Sequence, residues 1–137
     1  MKTSLTIILL FISSFSSAQW VIQTEGLAIP HAANDICFPS QDTGYLAGWG
    51  GKMVKTTNGG NNWTESSPLP SSEILTSVHF RSNTDGYLTA TNGTWLKTTD
   101  GGNTFVIRQN VGYPGSLHDM TFIDDLTGWC TGGNAGG

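Results

Sequence analysis

One offset governs this chain. Lys97–Phe105 reads Lys-Thr-Thr-Asp-Gly-Gly-Asn-Thr-Phe, and Lys55–Trp63 reads Lys-Thr-Thr-Asn-Gly-Gly-Asn-Asn-Trp, 42 residues earlier. The same 42-residue step relates Phe38, Phe80 and Phe122, and again Gly44, Gly86 and Gly128. Each of those glycines precedes an aromatic: Tyr45, Tyr87 or Trp129. A fixed period of this size, without helical patterning, marks an array of units that bury their faces by stacking on one another. The short β-rich runs within each period read as four strands. The expected fold class is therefore all-β, a β-propeller of four-stranded antiparallel blades.

Taken in order, Ile36-Cys37-Phe38 is a first strand, Pro39–Thr43 a turn, Gly44–Gly48 a second strand and Lys52–Thr57 a third. Asn58-Gly59-Gly60-Asn61 reads as the hairpin turn, because Asn-Gly supplies the two positive-φ residues of a tight connection. Trp63 opens the fourth strand, and Ser66–Ser72, with Pro68 and Pro70, leads to the next unit. Leu75–Phe80, Gly86–Ala90, Thr94–Thr99 and Thr104–Arg108 repeat the scheme, with Asp100-Gly101-Gly102-Asn103 at the turn. A third unit offers Met120-Thr121-Phe122 and Gly128–Thr131, then Gly132–Gly137.

Trp20-Val21-Ile22 aligns with the runs that follow each Gly-Gly pair, so it reads as the outer strand of a preceding unit. The division expected is 19–33 for that strand and its loop, 34–74 and 75–117 for two blades, and 118–137 for a truncated one. About two and a half blades fall short of the roughly 4–8 that close a ring. The expectation is a fragment of a larger propeller, completed by further blades of a parent chain or by self-association.

Residues 1–18 read as a signal peptide: Lys2, then the apolar run Leu5–Phe15, then small residues ending at Ala18. The run is shorter than the ~20 apolar residues of a membrane span. Cleavage between Ala18 and Gln19 would send the remainder to the periplasm or the exterior, with no membrane insertion afterwards. The net charge of −4 gives no basic patch to neutralise nucleic-acid phosphates or to hold an anionic membrane surface. Cys37 and Cys130 occupy different positions in non-adjacent units, too far apart for the ~4.4–6.8 Å Cα separation of a disulfide; two buried thiols are expected.

Thr98-x-Asp100-x-Gly102-x-Thr104-Phe105 matches the Asp-box of bacterial neuraminidase repeats at every specified position. The earlier copy, Thr56-x-Asn58-x-Gly60-x-Asn62-Trp63, departs at two, with Asn58 for Asp and Asn62 for Thr. With the Gly-Tyr-Leu second strands, residues 20–137 also resemble the propeller family of photosystem II assembly and stability factors. The resemblance implies a propeller and a binding role. The box itself sits in a hairpin, so its Asp or Asn serves turn chemistry, accepting from backbone N–H groups, while the aromatic packs beneath the turn.

Catalytic and cofactor sites find little support in the residues. Sialidases of the Asp-box family clamp a carboxylate with three arginines, and this chain has Arg81 and Arg108 alone. Another glycoside hydrolase needs two carboxylates facing one sugar. Asp42, Asp85 and Asp125 are turn residues, and Asp124-Asp125 lacks the alternation of a calcium loop. Asp35 and Asp119 precede first strands and form the best-placed pair, although Thr76 or Ser77 stands at that place in the second unit. His31, His79 and His118 share no ligand spacing, so no metal and no cofactor are expected. Among five tryptophans, Trp63 and Trp129 read as packed by register, whereas Trp49 and Trp95 are the candidates for stacking on a sugar or seating a peptide.

The expected function is thus a non-catalytic, exported platform that binds a protein or a surface glycan, of the photosystem II stability-factor type. The contrasting class is a secreted Asp-box glycoside hydrolase whose catalytic residues lie outside this chain.

Overall fold

The computed structural model describes residues 32–109 and 115–133. The signal segment with Ala18 and Gln19, the Trp20-Val21-Ile22 run, His31 and residues 134–137 lie outside them. The first sheet has four antiparallel strands in sequence order: β1 (Ala33–Cys37), β2 (Gly44–Gly48), β3 (Met53–Thr56) and β4 (Thr64–Ser66). The second repeats it with β5 (Leu75–Phe80), β6 (Gly86–Ala90), β7 (Thr94–Thr98) and β8 (Val106–Gln109). A third sheet has two strands, β9 (Ser116–Phe122) and β10 (Gly128–Gly133). Register follows the period: Phe80 sits opposite Gly86, and Phe122 opposite Gly128.

The recurrent Phe and Gly belong to one device. A Cβ placed on Gly44, Gly86 or Gly128 would fall 2.5, 2.5 or 2.7 Å from a ring carbon of Phe38, Phe80 or Phe122 respectively. The ring lies on the bare backbone of the neighbouring strand and supplies the cover that a side chain there would give. Any residue but glycine would force the ring off the strand.

The main core lies between the first two sheets. Tyr45, Met53, Leu75, Val78, Phe80, Leu88 and Leu96 are all buried there, each worth about 1.5–3 kcal/mol of transfer free energy as an aliphatic or aromatic side chain. Leu69, in the proline-rich connection, joins this core, with its amide donating to Gly51 O (3.4 Å). The outermost strand β8 is exposed throughout, as befits an edge.

The tight turns are not where the Asn58-Gly59 dipeptide placed them. Positive φ at both central residues, the requirement of a type I′ hairpin, occurs at Gly50 and Gly51 (72° and 64°) and at Asn92 and Gly93 (59° and 66°). These close β2–β3 and β6–β7. In the longer β3–β4 and β7–β8 connections the positive-φ pairs are Gly59-Gly60 and Gly101-Gly102, and Asn58 is not among the positive-φ residues. Its work is done by its side chain.

Candidate functional site

Each of those longer connections is wound around one polar side chain. In the second sheet, Asp100 Oδ1 accepts from the amides of Asn103 (3.0 Å) and Thr104 (2.9 Å) and from the Thr98 hydroxyl (2.8 Å), while the Thr104 hydroxyl donates to Oδ2 (2.6 Å). Thr98 Oγ1 accepts in turn from the Gly102 amide (3.0 Å). Asn58 Oδ1 accepts from the Asn62 amide (2.9 Å) and the Thr56 hydroxyl (3.0 Å), and Thr56 Oγ1 from the Gly60 amide (2.9 Å). The hydroxyl bond of Thr104 has no counterpart there, because residue 62 is Asn. The Thr104 hydroxyl, then its amide and the Thr98 hydroxyl, hold the Asp100 carboxyl down at about 2. Beneath the loops, Trp63 is half-buried edge-on to Phe38 (6.1 Å, 87°), and Phe105 packs on the main core.

At the opposite end of the sheets the first strands carry a second repeated feature. The β1–β2, β5–β6 and β9–β10 ladders slip between Ala33 and Asp35, between Leu75 and Ser77, and opposite Leu117 and Asp119. The extra residues, Asn34, Thr76 and His118, are again 42 apart. Bulges of this kind re-aim the side chains beside them. Here they bring Asp35, Ser77 and Asp119 into one row: Ser77 Oγ lies 2.8 Å from Asp35 Oδ2 and 3.4 Å from Asp119 Oδ1. Asp35 Oδ2 also accepts from the Val78 amide (2.9 Å). The candidate carboxylate pair thus meets at one buried hydroxyl and stitches three first strands together.

The remaining candidates are spread out. Trp49 is exposed beside the β2–β3 turn, its amide donating to Ala32 O (3.4 Å) and its backbone bridging to Ile74. Trp95 borders a cleft of about 610 Å³ between the second and third sheets, lined also by Leu117, Met120, Leu126, Trp129 and Cys130. That volume lies within the ~300–1,000 Å³ range of ligand sites. Trp129 and Cys130, expected to be packed, are both exposed, Trp129 to 64%. Their alignment with Tyr87 and Leu88 fixes which face each side chain takes. Among the described residues, however, no third strand covers β10 and no further sheet covers Trp129. Cys37 is half-buried instead, its Sγ accepting from the Phe80 amide (3.4 Å), and both thiols are free. His79 lies against the Phe122 ring at 5.0 Å. No metal-holding group of three or more His, Cys, Asp or Glu occurs among the described residues.

The two sheet-to-sheet contacts share one plan. At the first, Tyr45 stacks flat on Phe80 (3.5 Å, 1°), and its hydroxyl donates to Asn83 O (2.8 Å) and Gly101 O (3.3 Å). Lys55 Nζ donates to the same Gly101 carbonyl (2.9 Å) and lies 5.4 Å from the Tyr45 ring centre. Burial raises the Tyr45 phenol above its ordinary pKa, and the Cys37 thiol adds to the shift. At the second contact Tyr87 tilts against Phe122 (4.8 Å, 34°), and Arg81 lies over both rings, donating to Asp125 O and pairing with Asp85.

Sequence reasoning passed over a third 42-residue series, Ser40, Ser82 and Asp124, whose oxygens accept from Thr43 N (3.2 Å), Asp85 N (3.0 Å) and Leu126 N (2.7 Å) to cap the first turn of each unit. All three are short polar residues at one place in the period, and that was the available signal.

No family model and no curated protein matches this sequence. Solved structures do. The structure described as YCF48 bound to D1 peptide superposes with a TM-score of 0.63 at 24% identity, covering 70% of this chain and 32% of that one. YCF48 from Cyanidioschyzon merolae gives 0.58 at 22%, covering 66% and 31%. The chain has the β-propeller fold. It spans about a third of the length of those propellers. Its sheets are blades; the Phe-on-Gly device joins the first two strands within each blade, and the polar row and the Tyr–Lys contact are the means by which one blade is laid on the next.

Proposed function

We propose that this protein is a non-catalytic propeller platform that binds a segment of another protein, in the manner of a photosystem II assembly or stability factor. The observation that carries the proposal is the cleft beside Trp95 and Trp129. It combines exposed aromatic surface with a strand, β10, paired on one side among the described residues. Rigid aromatics next to an open strand edge favour a polypeptide over a compact small molecule. The likeness to YCF48, one structure of which holds a D1 peptide, supports a protein partner and motivates the photosystem reading. The non-catalytic reading is supported by the row at Ser77, where both candidate carboxylates are engaged in hydrogen bonds between blades. The neuraminidase-type box is, on this reading, a blade fastener. Export with cleavage between Ala18 and Gln19 belongs to the same proposal, and Gln19 as the first residue of secreted material would bear it out.

The test is a titration of the full chain with D1 peptides followed by tryptophan fluorescence. Saturable binding weakened by Trp95→Ala is the expected result. Turnover of a glycoside, or no saturable binding by any peptide, would overturn the platform.

A further inference from the structure

Two Asn-Gly dipeptides occur in the chain, Asn58-Gly59 and Asn92-Gly93, and the fold treats them in opposite ways. The dipeptide has a chemistry of its own. The backbone nitrogen after an asparagine can attack the side-chain amide carbon, and a glycine there has no side chain to obstruct the approach. A bond forms between that nitrogen and Cγ, the Cγ–Nδ2 bond breaks, and the proton of the attacking nitrogen leaves with Nδ2 as ammonia. Water then opens the cyclic imide at either carbonyl, giving Asp or its β-linked isomer. The following nitrogen must swing onto Cγ, so every hydrogen bond that fixes the side chain or that nitrogen slows the reaction.

At Asn58 both partners are fixed. Its Oδ1 accepts from the Asn62 amide (2.9 Å) and the Thr56 hydroxyl (3.0 Å), its carbonyl accepts from Asn61 Nδ2 (2.7 Å), and the attacking nitrogen, that of Gly59, donates to Asp42 O (2.9 Å). Asn92 is placed otherwise. It is exposed at the tip of the β6–β7 hairpin with a φ of 59°, the one non-glycine with positive φ among the described residues, a region that residues with a Cβ hold at a cost. The turn closes through the Thr94 amide and Thr91 O at 3.3 Å, longer than the usual backbone bond. Gln109 Nε2 donates to Asn92 O (3.4 Å), drawing electrons from the peptide that carries the attacking nitrogen. The side chain is tethered from outside the turn. Its Nδ2 donates to both oxygens of Glu73 (3.2 and 3.3 Å), on the connection that leads into β5, and the same carboxylate accepts from the Thr91 hydroxyl.

We propose that Asn92 is a site of spontaneous conversion to Asp and isoaspartate in the folded protein, restrained by Glu73, while Asn58 is protected by its loop. Glu73 governs the rate, because its hold on Nδ2 keeps Cγ away from the Gly93 nitrogen. It also governs the consequence. The new carboxylate stands where the amide donated, so two negative charges meet at hydrogen-bond range and repel. The β6–β7 hairpin then loses its hold on the segment that joins the first two blades.

The full chain is incubated folded at mildly alkaline pH and, in parallel, in urea. The tryptic peptides 56–81 and 82–97, which separate the two sites, are followed by mass spectrometry. In urea both sites should convert at similar rates. In the folded chain Asn92 should convert at least about tenfold faster than Asn58, the effect of two further hydrogen bonds at the latter. Glu73→Gln should speed Asn92 several-fold and leave Asn58 unchanged. Asn92→Asp should lower the melting temperature of the parent, and lower it less in the Glu73→Gln background. Equal rates at the two sites in the folded chain, or conversion of neither while the urea sample converts both, would overturn the site. An Asn92 rate untouched by Glu73→Gln, or an Asn92→Asp loss identical in the two backgrounds, would overturn the part given to Glu73.

Discussion

The two blade contacts differ in completion more than in composition. Tyr45, Lys55 and Phe80 at the first have Tyr87, Lys97 and Phe122 as their equivalents at the second. Yet the first rings lie flat at 3.5 Å and the second tilt at 4.8 Å, with Arg81 laid across both of them. Phe80 is 4% exposed, whereas Phe122 is half-buried. A repeated side chain therefore does not bring a repeated energy. What it contributes depends on whether the next blade presents its loop carbonyls and its third strand. Repeat proteins behave this way because their stability is a sum of unit and neighbour contributions, and a unit at the boundary has half its neighbours.

The largest break in that comparison should come from the rings. Phe80→Ala removes a buried aromatic and uncovers Gly86, at a cost of about 3–5 kcal/mol. Phe122→Ala, acting at the open contact, should cost less than half as much. Urea melts of the two variants measure the difference, and equal losses would mean that the second contact is as complete as the first. The hydroxyls come next. Tyr45→Phe removes the phenol hydroxyl from the carbonyl of Asn83 and leaves that of Gly101 to Lys55 alone, for roughly 1–3 kcal/mol, while Tyr87→Phe should stay within about 0.5 kcal/mol of the parent.

The smallest effect separates the two loops. Asp100 is held near 2, below the ordinary carboxylate range, by Thr104 and Thr98. A folded-state value below the unfolded one gives stability that is present above about pH 4 and is lost as pH falls toward 2. Asn58 carries no such charge. The melting temperature of Asp100→Asn should therefore fall less steeply than that of the parent between pH 4 and 2. Asn58→Asp should introduce a new acid-sensitive contribution in the first loop. Parallel pH profiles for parent and Asp100→Asn would sink this account of the loop.

Much of this architecture could be read before any coordinates, because a period of 42 residues carries both strand order and facing. The facing of Trp129 and Cys130 was legible from their alignment with Tyr87 and Leu88. Their exposure was not, since it depends on strands that a register does not supply. Asn58-Gly59 misled because the dipeptide suits a type I′ turn, whereas the chain uses Asn92-Gly93 for that purpose and spends the Asn58 amide on capping a wider loop. The row of Asp35, Ser77 and Asp119 lies in plain sight at one position of the period. The pairing of Asp35 with Asp119 was legible there, but the part played by Ser77 was not, because its bonds run between blades and a serine between two aspartates means nothing until the three strands are side by side. The cleft was half legible: Trp95 stood out, but its pairing with Trp129 across two sheets is a product of stacking.

The rings laid on Gly44, Gly86 and Gly128 have a spectroscopic consequence. A proton held against an aromatic face is shielded by the circulating π electrons, so the α-protons of these three glycines should resonate well upfield of ordinary glycine positions. Each reports on a different sheet. A proton spectrum recorded through thermal unfolding would then show, without any label or mutation, whether the third sheet lets go of its ring while the first two still hold theirs.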